Sequence, residues 1–589
     1  MIKSRKWLAL MFAAIMLLSL VACNPTQTTT ATTAGTTTTT ETTATSGETA
    51  ESSTDTTTSG EETTAPSGDF NPMAKYDPLI DFTTVVSLND EMQNLIGIKE
   101  GVATNNNWIN GYRDDLGINV SYLWTVPGVQ YEQKLNGQIA ANDLPDLVFV
   151  SATQLKTLVD SGMVYDMTAV FEEYITPFSR EMMEADNNVA LSQATYDGKL
   201  MALPSVNGNK DGVNMLWIRQ DWLENLNLKA PKNIDELVAL IKAFTEDDPD
   251  GNGQDDTYGI AMNNTIYSGG LNDMTGFFES FGVNPNGWIE GADGKAAYGL
   301  IQPQIKDGLA VLADLYQSGY MDKEFSTKDN SKVSEDLVAG KVGLFFGQHW
   351  VPFWPLQDGH NLNADADWVA CPIPSLDGSP AKSMIHGSAG GFYAVNVDTE
   401  YPEAAVKLFN YNYMKDCALS PDFDRNFHIP GNEVSEKPEG AFQWSILRTF
   451  YPMQNLFIHK GVKQYLGGDA TVLENSWIND NAIASEKYLA DPAGNGPQWC
   501  TYRWSGPESA FSVVDYYDAN GLMLQDLFIL GATDGMVQYN TTLNQLALET
   551  YTQIIMGQQP VEKFDEFVTR WKSLGGDEIT NEINTAIGR

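Results

Sequence analysis

Apolar and polar positions divide the chain into three zones. Leu8 to Leu20 is almost wholly apolar. Asn24 to Asp69 holds no Val, Ile, Leu, Met or aromatic residue. From about Phe70 onward, short apolar runs alternate with helical patterns. "LPDLVFVS", Leu144 to Ser151, reads as a buried strand. "KLMALPSVN" and "NMLWIRQDWL" read as strands, the second leading into a helix. In "NIDELVALIKAFTEDD", Ile234, Leu237, Val238, Ile241 and Phe244 fall on one helix face. Asn233 with Glu236 three residues on is a capping-box start. "YPEAAVKLFNYNYM" starts a helix near Pro402, where proline fits the first turn. Strands alternating with helices predict an α/β architecture, and no short-period repeat is present.

The first zone adds a destination. "MIKSRKW" is basic, the apolar run behind it is too short for a comfortable membrane span, and small residues precede Cys23. This is a secretory leader, residues 1–22. The stretch "LVAC" resembles a bacterial lipobox, in which cleavage leaves a lipidated Cys23; an ordinary leader with a chance cysteine is the alternative. Residues 23–72 cannot bury a core and are expected to be a disordered Thr/Ser-rich tether. The body, 73–589, is long enough for two or more domains. No second apolar run in it is long enough to span a membrane.

Charge and cysteine content narrow the function. The formal net charge is −42, and loss of Lys3, Arg5 and Lys6 with the leader makes it more negative. Such a field excludes nucleic acid as a natural partner. Cys371, Cys417 and Cys500 form no CxxC pair and no zinc pattern, and at most one bridge among them.

One stretch carries metal chemistry. In "DPDGNGQDD", Asp248, Asp250 and Asn252 present oxygens at alternate positions, Gly253 permits a sharp turn, Gln254 offers a carbonyl, and Asp256 follows. Hard oxygen donors at this spacing suit calcium better than zinc or copper. The twelfth position is Gly259, where an EF-hand places a bidentate glutamate, so the loop is not a complete EF-hand. An acidic turn without metal is the competing reading.

These blocks together resemble a known family. "QIAANDLPDLVFVS" is similar to its "ASGDLPDI" strand entry. "LWIRQDWLENLNLKAPKNIDELVALIKAFTEDDPDGNGQDDTYGI" carries its most distinctive block, with "NGWIEGADGKAAYGLIQPQIKDGLAVLADLYQSGYMDKEF", "GKVGLFFG", "GGFYAVNVDTEYPEAAVKLFNY" and "FVTRWKSLGGDEITNEIN" following in family order. The body resembles an extracellular solute-binding lipoprotein of sugar ABC importers, in the large subgroup that takes oligosaccharides and sugar acids. The resemblance implies a two-lobed α/β fold with hinge-linked lobes and a central cleft. It places lobe 1 at about 73–205 plus part of 385–440, and lobe 2 at about 206–370 plus much of 440–589. Crossings between lobes are expected near Leu203–Trp217 and Cys371–Phe392. It further implies a monomer, ABC permease partners, a structural calcium at Asp248, Asp250, Asn252, Gln254 and Asp256, and an extracellular, lipid-anchored location.

A sugar cleft needs aromatic platforms flanked by polar groups. Trp108 sits among asparagines in "NNNWINGY". Trp217 and Arg219 adjoin the first crossing. Trp350 and Trp354 follow the "GKVGLFF" strand beside Gln348 and His349. "QWCTYRWSG" gathers Trp499, Tyr502, Arg503 and Trp504. For each, core packing is the ordinary alternative; Trp222, Trp368 and Trp571 are read as packing. Arg219 or Arg503 would be needed to hold a sugar acid, and since the overall field opposes an anion, a neutral oligosaccharide is the expected ligand. An enzyme is not expected: no GxSxG elbow or HExxH helix occurs, and the histidines are scattered. The alternatives are a glycan receptor or adhesin uncoupled from transport and, more remotely, a secreted glycosidase.

Overall fold

The structure, a computed structural model, describes residues 70–98, 101–428 and 440–589. The leader, Cys23 and the Thr-rich stretch lie outside the described residues. Residues Phe70–Arg589 form one compact unit.

The chain builds two main sheets, and its strands pass between them twice. β1 (Ile80–Leu88), β2 (Ile118–Pro127), β3 (Leu147–Val150) and β4 (Leu203–Val206) belong to the first sheet. The chain then enters the second with β5 (Met215–Arg219), β6 (Tyr258–Ile260), β7 (Val342–Gly347) and β8 (Trp368–Cys371). β9 (Ser383–Ile385) lies on the return path, and β10 (Ala389–Val395) rejoins the first sheet. The orders are β2-β1-β3-β10-β4 and β8-β5-β7-β6. β2, β1 and β3 are parallel, whereas β10 runs antiparallel to β3 and β4. In the second sheet β7 and β8 flank β5 antiparallel. Every residue of β5 and β7 is buried, as strands covered on both faces require.

Local signals account for these elements. Asn233 accepts the Glu236 N–H at 2.9 Å and caps the helix Ile234–Glu246, which buries Ile234, Leu237, Leu240, Ile241 and Phe244. The reciprocal half of the capping box is altered: the Glu236 carboxylate accepts from the Lys232 N–H instead. Pro402 precedes the helix Glu403–Asp416. Among the described residues no helix is long and apolar enough to cross a membrane. Cys371, Cys417 and Cys500 are all free.

Both crossings converge on one end of each sheet. Met215, the entry to β5, pairs with Gly347, the exit of β7. Ala389, the return into β10, pairs with Val206, the last residue of β4. The Asn207 N–H donates to the Ser388 carbonyl at 2.8 Å and ties the two linkers together. The Glu279 carboxylate accepts from Asn214 Nδ2 (3.1 Å) on the first linker, from Ser383 Oγ and the Met384 N–H (both 2.8 Å) on the second, and from Asn284 Nδ2 (2.8 Å).

Candidate functional site

The segment after β7 forms an aromatic platform. β7 ends at Gly347 beside the first crossing, and Gln348 to Trp354 follow directly. The Trp350 and Trp354 rings lie 6.4 Å apart, with their planes 9° from parallel. Trp350 is half-buried and its indole N–H donates to Gln348 Oε1 at 3.2 Å. Trp354 is 41% exposed and Phe353 46% exposed. Large aromatics usually bury such area, so two neighbouring rings left open beside the crossing mark a surface built for contact.

A second tier holds this platform. Trp504 packs 5.5 Å from Phe353, and its indole N–H donates to His349 Nδ1 at 3.0 Å. His349 in turn packs on Phe511 at 4.9 Å. Burial pulls the His349 imidazole down to about 3, so it is neutral at physiological pH.

The other sequence candidates are placed differently. Trp108 is fully buried: its indole N–H donates to the carbonyls of Phe427 and Ala441, and its ring packs on Tyr112, Tyr411 and Phe427. Of the asparagines around it, Asn106 caps the helix Asn107–Gly111, Asn107 Nδ2 donates to the Asn426 carbonyl and Asn110 Nδ2 donates to Asn105 Oδ1. Trp217 is fully buried in mid-strand and stacks on Phe345. Arg219 is 3% exposed at the end of β5 remote from the crossing; it is bound to Asp221 and lies over the Trp222 and Trp368 rings. Tyr502 is buried and stacks on Tyr488. Arg503 is held by Asp367, which also accepts the Trp499 indole N–H at 2.9 Å. Both arginines expected to hold a sugar acid are therefore neutralised within the protein. Trp222, Trp368 and Trp571 are buried. Phe353 escaped the sequence reading because a phenylalanine between Pro352 and Trp354 carries no local signal of exposure.

The acidic loop follows the helix Ile234–Glu246. Asp248, Gly251 and Gly253 take positive φ of 48°, 68° and 75°, which curls the backbone inward. Asn252 Nδ2 donates to Asp250 Oδ2 at 2.8 Å and Asp256 Oδ1 at 3.1 Å. The Asp248 carboxylate accepts the N–H groups of Asn252 (3.1 Å) and Gly253 (3.0 Å). Partial burial, then the neighbouring Asp248 and Asp256, raise the Asp250 carboxyl above its ordinary value. Among the described residues no three His, Cys, Asp or Glu side chains are arranged to hold a metal; here the carboxylates close on the Asn252 amide instead. The donor set nevertheless fits a hard cation in type, because one N–H donor stands between two carboxylates. Gly259, the twelfth position, is explained by packing: a Cβ there would meet the Ile241 carbonyl oxygen at 2.2 Å, so no glutamate can occupy it.

The fold agrees with known proteins. The family profile of bacterial extracellular solute-binding proteins matches residues 103–413, more than half of the chain, and the chain belongs to that family. It is similar to the polygalacturonan/rhamnogalacturonan-binding protein YtcQ of Bacillus subtilis, 33% identical over 291 residues, covering 48% of this chain and 53% of YtcQ; the match thus spans about half of that relative's length. It is also similar to lipoprotein LipO of Bacillus subtilis, 24% identical over 488 residues, covering 80% of this chain and 86% of LipO. Its fold is similar to that of an EF-hand mutant of the Streptococcus pneumoniae ABC-transporter substrate-binding protein FusA in complex with fructo-nystose, with a TM-score of 0.57 and 15% identity, covering 87% of this chain and 99% of that one. The architecture is the two-lobed α/β fold of periplasmic-binding-protein-like molecules.

Proposed function

We propose that this protein binds an oligosaccharide at the Trp350–Trp354 platform and delivers it to the permease subunits of an ABC importer. The observation that carries this reading is the near-parallel pair of half-buried Trp350 and exposed Trp354 beside the crossings between sheets. Sugar C–H faces lie on aromatic rings, while Gln348 and neighbouring amides meet hydroxyls. The names of YtcQ and FusA support the same chemistry. On this reading the sheet of β1–β4 and β10 is the core of one lobe, at about 73–205 plus part of 385–440. The sheet of β5–β8 is the core of the other, at about 206–370 plus much of 440–589. The linkers 207–214 and 372–388 are the hinge. Residues 1–22 direct export, lipid on Cys23 anchors the chain at the outer face of the cell membrane, and the Thr-rich stretch is the tether; the lipoprotein name of LipO supports this. The loop Asp248–Asp256 is a structural calcium clamp, which the EF-hand of FusA supports. The protein acts as a monomer and carries out no chemistry on its ligand.

Thermal shift against an oligosaccharide panel tests this. One sugar raises the melting temperature, and chromatography finds no released product. Trp350→Ala weakens that binding by about 1–3 kcal/mol, the scale of a lost stacking anchor. Product accumulation, or unchanged affinity in the folded variant, counts against the proposal.

A further inference from the structure

The arginines are nearly all spoken for. Arg113, Arg180, Arg219, Arg425, Arg503 and Arg589 each hold a carboxylate. Arg570 is exposed on the helix Lys563–Trp571. Arg448 is different: it is half-buried, and among the described residues no acidic side chain pairs with it. In a chain with 77 acidic and 35 basic residues, a partly desolvated guanidinium whose neighbour is the Tyr393 phenol and not a carboxylate is conspicuous. It cannot shed its proton, and its five N–H donors need acceptors.

Its position is fixed by the crossing. The Arg448 N–H donates to the buried Tyr393 hydroxyl at 2.7 Å, and its carbonyl accepts from Ser205 Oγ at 2.7 Å. Thr449 Oγ1 accepts the Val206 N–H at 3.2 Å, and the Phe450 N–H donates to the Val206 carbonyl at 2.9 Å. Arg448 is thereby pinned beside the last residues of β4, where the chain leaves the first sheet. Burial raises the Tyr393 phenol, and the nearby guanidinium opposes that rise. The aromatic platform stands at the crossing end of the second sheet and Arg448 at the crossing end of the first.

We infer that Arg448 is the anion-recognising residue of the binding site and that the ligand is a carboxylate-bearing oligosaccharide. This rests on the oligosaccharide reading above and revises the expectation of a neutral sugar. That expectation weighed the net field, which screening confines to short range. A planar guanidinium meets a carboxylate through two parallel N–H···O bonds, and a methyl ester forfeits the charge assistance.

Isothermal titration of the full chain with uronate trimers (galacturonate, glucuronate, mannuronate) and their methyl esters tests this. One acid binds about tenfold or more tighter than its ester, and the advantage shrinks with added salt. Arg448→Gln, with its circular dichroism and melting temperature unchanged, binds acid and ester alike; Arg448→Lys keeps part of the preference. Equal binding of acid and ester by the wild type overturns the inference, as does a preference that survives in Arg448→Gln. If neutral oligosaccharides bind and no uronate does, the inference falls and the oligosaccharide reading stands. If no sugar of either kind binds, both fall.

Discussion

The Trp504 indole N–H can only donate, so its 3.0 Å contact with His349 Nδ1 requires a neutral imidazole with its proton on Nε2. A charged ring would put two donors face to face beside Phe511. This agrees with burial drawing the group down to about 3. The folded-state value is below the unfolded value of about 6.5. The stabilisation is therefore fully present above about pH 6.5 and is lost as pH falls toward 3. His349→Gln keeps an acceptor for the indole and does not titrate. Between pH 6 and 4 the wild type should lose stability relative to His349→Gln by up to about 1.4 kcal/mol per pH unit, read from urea midpoints at each pH. Carboxylates common to both proteins cancel in this difference. Parallel pH profiles would show that His349 bears no such load. Such pairings lay beyond the sequence: His349 and Trp504 are far apart in the chain, and "QHW" carries no mark that its histidine accepts from a distant indole.

At the scale of the element, the acidic loop and the helix before it act as one unit. Thr257 Oγ1 donates to the Phe244 carbonyl at 2.9 Å, and the Gly259 N–H donates to Thr245 Oγ1 at 2.9 Å. β6 is thus stitched back onto the helix that the loop leaves. This unit was legible in sequence because its determinants are local: an N-cap, a single apolar face and ligands within nine residues. The partner of Arg503 was not, since Asp367 is distant from it in sequence. If calcium joins Asp248, Asp250 and Asp256, it relieves the repulsion that helps to raise the Asp250 carboxyl. A chelator is expected to lower the melting temperature and calcium to restore it, with Asp250→Asn abolishing that response. Indifference of the wild type to both reagents would return the loop to an ordinary acidic turn.

For the whole molecule, the decisive feature is how the two sheets are joined. The second of the two segments where the strands change sheet is rich in Gly, Pro and Ser, and composition points to it because such residues tolerate linker geometry. What composition does not reveal is that the linkers are gripped. Glu279 takes donors from both linkers, Asp526 accepts from His386 Nδ1 at 2.9 Å, and Asp186 accepts the Ser388 hydroxyl. These carboxylates lie far in sequence from the segments they hold, so only the fold brings them together. A buried acceptor serving several donors fixes where the linkers start and confines bending to the residues between anchors. Glu279→Gln sets an amide against two of those donors. It should cost about 2–4 kcal/mol, the desolvation penalty of donors left unpaired, read as a lower urea midpoint at constant m-value. If anchoring also sets the hinge, small-angle scattering should show a smaller ligand-induced compaction in this variant than in the wild type at saturating sugar. Loss of stability with full compaction would assign Glu279 to folding alone. Loss of both would identify the carboxylate as the fixed point about which the lobes turn.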